Sequence, residues 1–252
     1  MSVRSRLELV ESVHVLTLDD EGKRNAIGNE LAAELVDHAE CLARDPDARA
    51  LVIVGAGSAF CAGADLPQIF GEERATSEMR DVLRAYYECF LKFRALPFPT
   101  FAAVNGPAVG AGLNLALSCD IRIAGPRAKF GATFAKIGLH PGGGCTAFLV
   151  SAVGRQQALR ILLEGATLNA EEAVASRLAL TIADEPYAAA LEMARTASQL
   201  EPWLARAICE SVELAATSSF ESVVEFESWA QAESTHNPRF RDFISQFARS
   251  NS

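Results

Sequence analysis

Ala50-Leu51-Val52-Ile53-Val54, followed by Gly55 and Gly57, is an unbroken apolar run closed by two glycines. A strand with one wet face alternates apolar and polar residues. A run without polar interruption is the pattern of a parallel strand buried on both faces. Shorter runs of this kind recur at Phe101-Ala102-Ala103-Val104 and at Ile121-Arg122-Ile123-Ala124, with helical stretches at Met79 to Phe93 and Ala111 to Ser118 between them. Strand and helix therefore alternate as in βαβ architecture, and the chain falls in the α/β class.

Working outward, Leu7 to Leu18 alternates loosely and ends in the turn-like Asp19-Asp20-Glu21-Gly22, which predicts a strand pair or hairpin. From Asn29, apolar residues recur at Leu31, Leu35, Ala39 and Leu42, a helical spacing that stops near Asp45-Pro46. After Gly154 the pattern is helical to the end, at Arg155 to Leu163, Ala170 to Ser176, Tyr187 to Gln199, Leu204 to Ala215, Phe220 to Ser234 and Arg239 to Ala248. Asn169 before Ala170-Glu171-Glu172 reads as an N-cap with acidic residues in the first turn. The expected organisation is a single domain over 1–252, with an α/β core to about residue 180 and a helical region over about 181–252.

The 252 residues are 50% hydrophobic and 22% charged, ordinary values for a globular protein, so disordered and fibrous classes are excluded. A net charge of -9 supplies no basic field for nucleic acid or anionic membranes. No apolar run approaches the roughly 18 residues of a membrane span, and charges stand between Met1 and Glu11 where a signal peptide needs an apolar core. A cytoplasmic protein is expected. The six cysteines, at 41, 61, 89, 119, 145 and 209, include no pair at zinc or redox spacing, and most sit in apolar neighbourhoods as small buried hydrophobes would. No metal is expected.

Two segments could present backbone donors to a ligand. Gly57-Ser58-Ala59-Phe60-Cys61-Ala62-Gly63-Ala64-Asp65-Leu66 leaves the 52–54 strand through small residues, and Asn105-Gly106-Pro107-Ala108-Val109-Gly110-Ala111-Gly112-Leu113-Asn114 leaves another strand and enters a helix. Small side chains let a ligand approach the main chain, and a helix beginning near Ala111 points free N–H groups at what lies before it. Together the two loops could form an oxyanion hole. Small residues at such turns also serve tight packing, so the residues alone leave both roles open.

Phe60 to Leu66, then Ala103 to Gly112 with Cys119-Asp120-Ile121-Arg122, resemble in order and spacing the two oxyanion-hole segments of the crotonase superfamily, the enoyl-CoA hydratase/isomerase family. Further matches are Lys23-Arg24-Asn25-Ala26-Ile27, Phe130-Gly131 with Lys136 to Gly144, and Leu168 to Ala173, so the resemblance spans roughly residues 7 to 180. It implies a crotonase-type core, a ββα superhelix, with the C-terminal helices used in packing and trimerisation. It also implies an acyl-CoA substrate, with coenzyme A entering as part of that substrate and no separate cofactor. The N–H groups of Ala64 and Ala111 would bind the thioester oxygen, and the main chain of Ala62 to Leu66, Asp65 included, would line the adenine pocket. Lys23 and Arg24 would meet the CoA phosphates, unless they are ordinary surface charges, and Ala26, Gly110 and Phe134 would complete the substrate-binding set. The implied assembly is a homotrimer or a dimer of trimers.

The chain departs from the family at the acid–base positions. Relatives place one glutamate four residues into the second-oxyanion helix and one shortly after the Phe-Gly pair; here those positions hold Asn114 and Phe134. Asparagine can orient water or hydrogen-bond a substrate oxygen but carries no useful proton affinity, and phenylalanine neither donates nor accepts. The nearest replacement is His140, since imidazole suits acid–base work near neutrality, although a lone loop histidine is also a common surface residue. Asp65 is expected to hold its own loop by bonding backbone N–H groups. Two readings follow: an enzyme of altered chemistry that stabilises a thioester enolate, with His140, Asn114 or a residue from the 66 to 90 region handling protons, or a non-catalytic acyl-CoA binder.

Overall fold

The computed structural model describes residues 3–250. They divide into two compact units, the first running to Gln199 and the second starting at Leu200. The first unit runs past the core boundary expected near residue 180. The reason is that the helix at Pro186–Ser198 buries Ala190, Leu191 and Ala194 against Val13, Val15, Val52, Phe101 and Ile123 of the sheet.

The first unit is built on a six-stranded sheet of β1 (Ser5–Val10), β2 (Val13–Leu18), β3 (Leu51–Gly55), β4 (Thr100–Val104), β6 (Ile121–Ala124) and β9 (Thr181–Ile182), in that spatial order. The β1/β2 pair is the expected hairpin, and every later pairing in the sheet is parallel. All five residues of β4 are buried, as are four of five in β3, which is why these strands read as continuous apolar runs. A second sheet joins β5 (Pro107–Val109), β7 (Lys129–Gly131) and β8 (Thr167–Asn169), and Cys61 extends it through a parallel bridge to Ala108.

The superhelix follows from this pairing. Each turn places one strand in the large sheet (β3, β4 or β6), the next segment in the second layer (Cys61, β5 or β7), and then returns through helical structure. The helices of the unit are α1 (Asn29–Arg44), α2 (Leu66–Phe70), α3 (Thr76–Arg94), α4 (Ala111–Ser118), α5 (Cys145–Glu164), α6 (Ala170–Ala175) and α7 (Pro186–Ser198). The α1 face carrying Leu31, Leu35, Ala39 and Leu42 is buried, as its spacing predicts. Asn169 caps α6 reciprocally: its Oδ1 accepts from Glu172 N and its N donates to Glu172 Oε2, both at 2.9 Å. The helix expected to begin at Arg155 starts at Cys145 and is helical on both sides of Gly154, whose φ of 75° and ψ of 163° interrupt it.

The motif at 119–122 is structural. Asp120 Oδ2 accepts from Thr100 N and Oγ1, both at 2.8 Å, and half-buried Arg122 donates to the carbonyls of Leu178 (2.7 Å) and Cys119 (2.6 Å), so these side chains tie β4, β6 and the loop after α6 together. The second unit contains α8 (Pro202–Thr217), α9 (Phe220–Ser234) and α10 (Pro238–Ser250), with α8 packed on α9. Among the described residues no helix is long and apolar enough to cross a membrane.

Candidate functional site

The two small-residue loops are laced to each other and to the N-terminal region by backbone bonds. Cys61 N donates to Pro107 O and Val109 N to Cys61 O, each at 3.0 Å. Ile27 N donates to Gly63 O at 2.7 Å, and Asp65 N returns to Ile27 O at 3.0 Å. Glycine is required where the loops touch. A β-carbon on Gly63, whose φ is +107°, would stand 2.7 Å from Val109 O, and one on Gly112 would stand 2.2 Å from Cys61 O. That close approach brings Ala64 beside the start of α4, since the same Gly63 β-carbon position lies 3.8 Å from Ala111 N. Among the described residues the N–H groups of Ala64 and Ala111 have no acceptor.

Both alanines open onto a cavity of about 140 Å³. Ala62, Leu66, Gly110, Asn114, Phe134 and His140 also line it, so eight of the twelve residues singled out in the sequence come together here. The other four lie to one side. Lys23, Ala26 and Asp65 line a small neighbouring recess. Arg24 is exposed, and its carbonyl accepts from Ala62 N at 3.0 Å. Asp65 caps α2 by accepting from Gln68 N at 3.4 Å, and Lys23 Nζ lies 2.7 Å from its Oδ2. The Lys23 ammonium, donating to this carboxylate, holds Asp65 below the usual carboxylate range. Asp65 therefore fixes its loop, as expected.

Among the described residues no Asp, Glu, Lys or Arg lines the cavity. Its polar groups are those of Asn114, His140, Thr133 and two tyrosines of α3, Tyr86 and Tyr87. Asn114 is 2% exposed, its Nδ2 donates to Gly142 O at 2.9 Å, and its Oδ1 is buried without a partner. His140 is exposed, with Nδ1 2.7 Å from Pro141 O. A carbonyl oxygen only accepts, so Nδ1 carries the hydrogen and the neutral ring keeps its lone pair on Nε2. Phe134 sits on a short 3-10 helix, Thr133–Ile137, with its ring against Gly110. Burial raises the phenols of Tyr86 and Tyr87 above their ordinary range, so both stay protonated; the Tyr86 hydroxyl donates to Ile27 O at 3.0 Å. Burial also pushes the Cys61 thiol up to about 12, which removes it as a thiolate nucleophile at neutral pH.

Three contributors are not singled out by the sequence reading. Tyr86 and Tyr87 come from a helix whose remaining surface is charged, and two adjacent amphipathic rings there are the signal that could have marked them. Asn25 leaves no such signal. It is fully buried with a φ of 57°, its Nδ2 donates to the carbonyls of Ala56 (3.0 Å), Ala59 (3.0 Å) and Phe60 (3.2 Å), and its Oδ1 accepts from Asp20 N at 2.9 Å. One side chain thereby shapes the loop that leads into Cys61 to Ala64. Among the described residues no group of three or more His, Cys, Asp or Glu side chains converges as a metal site would need.

Comparison with known proteins agrees with this geometry. A sequence profile of the enoyl-CoA hydratase/isomerase family matches residues 8–249. A Mycobacterium tuberculosis protein named probable enoyl-CoA hydratase EchA14 is 48% identical over 188 residues, 75% of this chain and 73% of that protein. A Mycobacterium bovis protein named probable enoyl-CoA hydratase echA8 is 35% identical over 224 residues, 88% of this chain and 85% of its own length. The crystal structure of an enoyl-CoA hydratase from Bacillus anthracis superposes with a TM-score of 0.90 at 25% identity, covering 98% of this chain and 97% of that one. The chain belongs to the enoyl-CoA hydratase/isomerase family of acyl-CoA enzymes, and its fold is the crotonase-type ββα superhelix.

Proposed function

We propose that the protein binds an acyl-CoA thioester with its carbonyl oxygen between the N–H groups of Ala64 and Ala111, and that these donors stabilise a thioester enolate. The observation that carries this reading is the pair of N–H groups without acceptors that open together onto a mostly apolar cavity. A preorganised donor pair stabilises charge as it develops on the oxygen, because the dipoles are already aimed and need no reorganisation. Lys23 and Arg24, in and just beyond a 3-10 helix near the first loop, are the cations we assign to the CoA phosphates.

The reaction is not standard hydration. Asn114 and Phe134 occupy the positions where the family pattern has its two glutamates, and general acid–base groups contribute about a hundred- to ten-thousand-fold each. We assign proton transfer to His140, an exposed residue of the cavity lining whose Nδ1 lies 2.7 Å from Pro141 O, with Asn114 as a polar anchor. We assign the assembly, a homotrimer or a dimer of trimers, to the C-terminal helices, where Phe220 is 78% and Trp229 72% exposed in the single chain. We place the protein in a reducing, cytoplasmic setting, which the buried thiols of Cys61, Cys89, Cys119 and Cys145 support.

The test is a mass-spectrometric screen against a panel of acyl-CoA thioesters, including crotonyl-CoA. The expected result is bound thioester and a mass change in at least one panel member, with crotonyl-CoA hydration absent or lower by several orders of magnitude than in relatives that carry both glutamates. Binding across the panel with no turnover would refute the catalytic reading, and no binding at all would refute the site itself.

A further inference from the structure

We propose that Tyr86 is a positioning residue for the thioester site, because its hydroxyl holds the Ile27 carbonyl that sets the direction of the Ala64 N–H. The proposal rests on the reading above, in which that N–H meets the thioester oxygen. Ile27 and Ala64 form an isolated parallel bridge outside the named strands. Its bonds run from Ile27 N to Gly63 O at 2.7 Å and from Asp65 N to Ile27 O at 3.0 Å, one on each side of Ala64. In a parallel ladder such bonds bypass the residue directly opposite, whose own N–H is turned the other way. Here that is towards the cavity, which Ala64 lines together with Ala111. Ile27 thus aims a donor that it does not bond.

The two donors are not equally well held. Ala111 opens α4, whose eight residues are all buried. Ala64 depends on the isolated bridge, and the chain enters Ile27 from Arg24 and Asn25, both in left-handed backbone with φ of 53° and 57°. A side chain adds the support that a neighbouring strand would give. Tyr86 reaches from the middle of α3, 59 residues away in sequence, and donates to Ile27 O at 3.0 Å, so this carbonyl accepts from two sides. A carbonyl oxygen only accepts, so the phenol is the donor. Burial raises the phenol above its ordinary range, so the proton stays in place around neutral pH. The ring of the same residue lines the cavity. One side chain therefore joins the wall that meets the acyl group to the loop that polarises its carbonyl. Such donors work only while held to within about 0.5 Å of the productive geometry.

The experiment is infrared difference spectroscopy of butyryl-CoA labelled with carbon-13 at the thioester carbonyl, bound at saturation to the full-length protein, with affinities from calorimetry. In the wild-type complex the carbonyl stretch should lie below its frequency in free butyryl-CoA. Tyr86→Phe keeps the ring and should hold affinity within about threefold, yet lose about half of that downshift, since one of the two donors is no longer aimed. Leu42→Ala, a core truncation in the last turn of α1, should lower stability and leave the downshift intact. If circular dichroism shows that Tyr86→Phe is not native, Tyr86→Met, which also lacks the hydroxyl, is read in its place. A full downshift without the Tyr86 hydroxyl, whatever the affinity, would make Tyr86 a wall residue only and overturn the proposal while the thioester reading stands. An equal loss of downshift in Leu42→Ala would overturn it too. No binding or no downshift in the wild-type protein would remove the thioester reading, and the proposal with it.

Discussion

Replacing Asn25 with aspartate changes one atom of the side-chain skeleton and should add a strong new pH dependence to the stability. In the native chain Nδ2 faces three carbonyl oxygens, those of Ala56 and Ala59 at 3.0 Å and Phe60 at 3.2 Å, with the residue fully buried. A carboxylate oxygen in that place would oppose three acceptors in a low-dielectric site, so the folded state would retain the proton. Buried carboxyls rise by up to about 3–5 units. Taking about 3 units at 1.36 kcal/mol each gives about 4 kcal/mol lost by neutral pH. The single remaining O–H also serves only one of the three carbonyls, which costs about 1 kcal/mol more per lost bond. The sign follows from linkage. The folded pKa is raised, the unfolded chain binds fewer protons above about pH 4, and stability is present below that pH and lost as pH rises towards the folded pKa. Between pH 5 and 7 the gap to wild type should widen by about 2 kcal/mol, a large part of a typical total of about 5–15 kcal/mol. Urea unfolding followed by far-ultraviolet circular dichroism at pH 5, 6, 7 and 8 measures it. A variant whose deficit is the same at every pH would show that Nδ2 does not face those carbonyls. Asn25→Ala, which loses the bonds without adding a charge, should show a pH-independent loss of about 3 kcal/mol from an orphaned Asp20 N–H and left-handed backbone strain.

Ala64→Pro deletes one of the two N–H donors and should weaken acyl-CoA binding at least tenfold, whereas Ala64→Gly keeps the donor and should be milder; calorimetry on variants with native circular dichroism decides, and unchanged affinity in the proline variant would dismiss that donor. Arg177 holds a φ of 66° with a side chain that gains nothing from it, so Arg177→Gly should raise stability by about 0.5–1 kcal/mol in urea unfolding. His14 is held below its ordinary pKa by burial, against the opposing pull of Asp45, with Nδ1 unpartnered. A base with a lowered folded pKa is protonated first in the unfolded chain, so stability should fall as pH drops through about 6.5, and His14→Gln should flatten that part of a pH series.

The strands β3 and β4 were legible because burial on both faces erases alternation and leaves an unbroken apolar run, whereas β1 and β2 were legible from a loose alternation that ends in a turn. The second sheet was not, because β5, β7 and β8 are three residues each and too short to show any period. The helical turns from Cys145 to Val153 were hidden between the Gly142-Gly143-Gly144 run and Gly154, which read as loop punctuation. At the site, Ala64 and Ala111 could be proposed from small residues after a strand end, since a backbone donor needs only an approachable main chain. Asn25 could not. Its role comes from carbonyls more than thirty residues away, which only the folded chain brings to it.

The absence of carboxylates from the cavity is a chemical property as much as a loss. A glutamate about 6 Å from a thioester oxyanion repels it by about 3 kcal/mol at an effective dielectric near 20, so a two-glutamate site stabilises its enolate against its own acid–base groups. On the proposed reading, Asn114 and Phe134 in those places remove that repulsion and leave the dipoles of the Ala64 and Ala111 N–H groups to act on the oxygen alone. The proton must then enter and leave at the edge. His140 is exposed, bonds its Nδ1 to Pro141 O, and keeps Nε2 available, which suits exchange with solvent at the cavity wall. A site arranged as proposed would favour a long-lived enolate over rapid addition of water, because it would keep the groups that hold the charge without the groups that place and deprotonate that water.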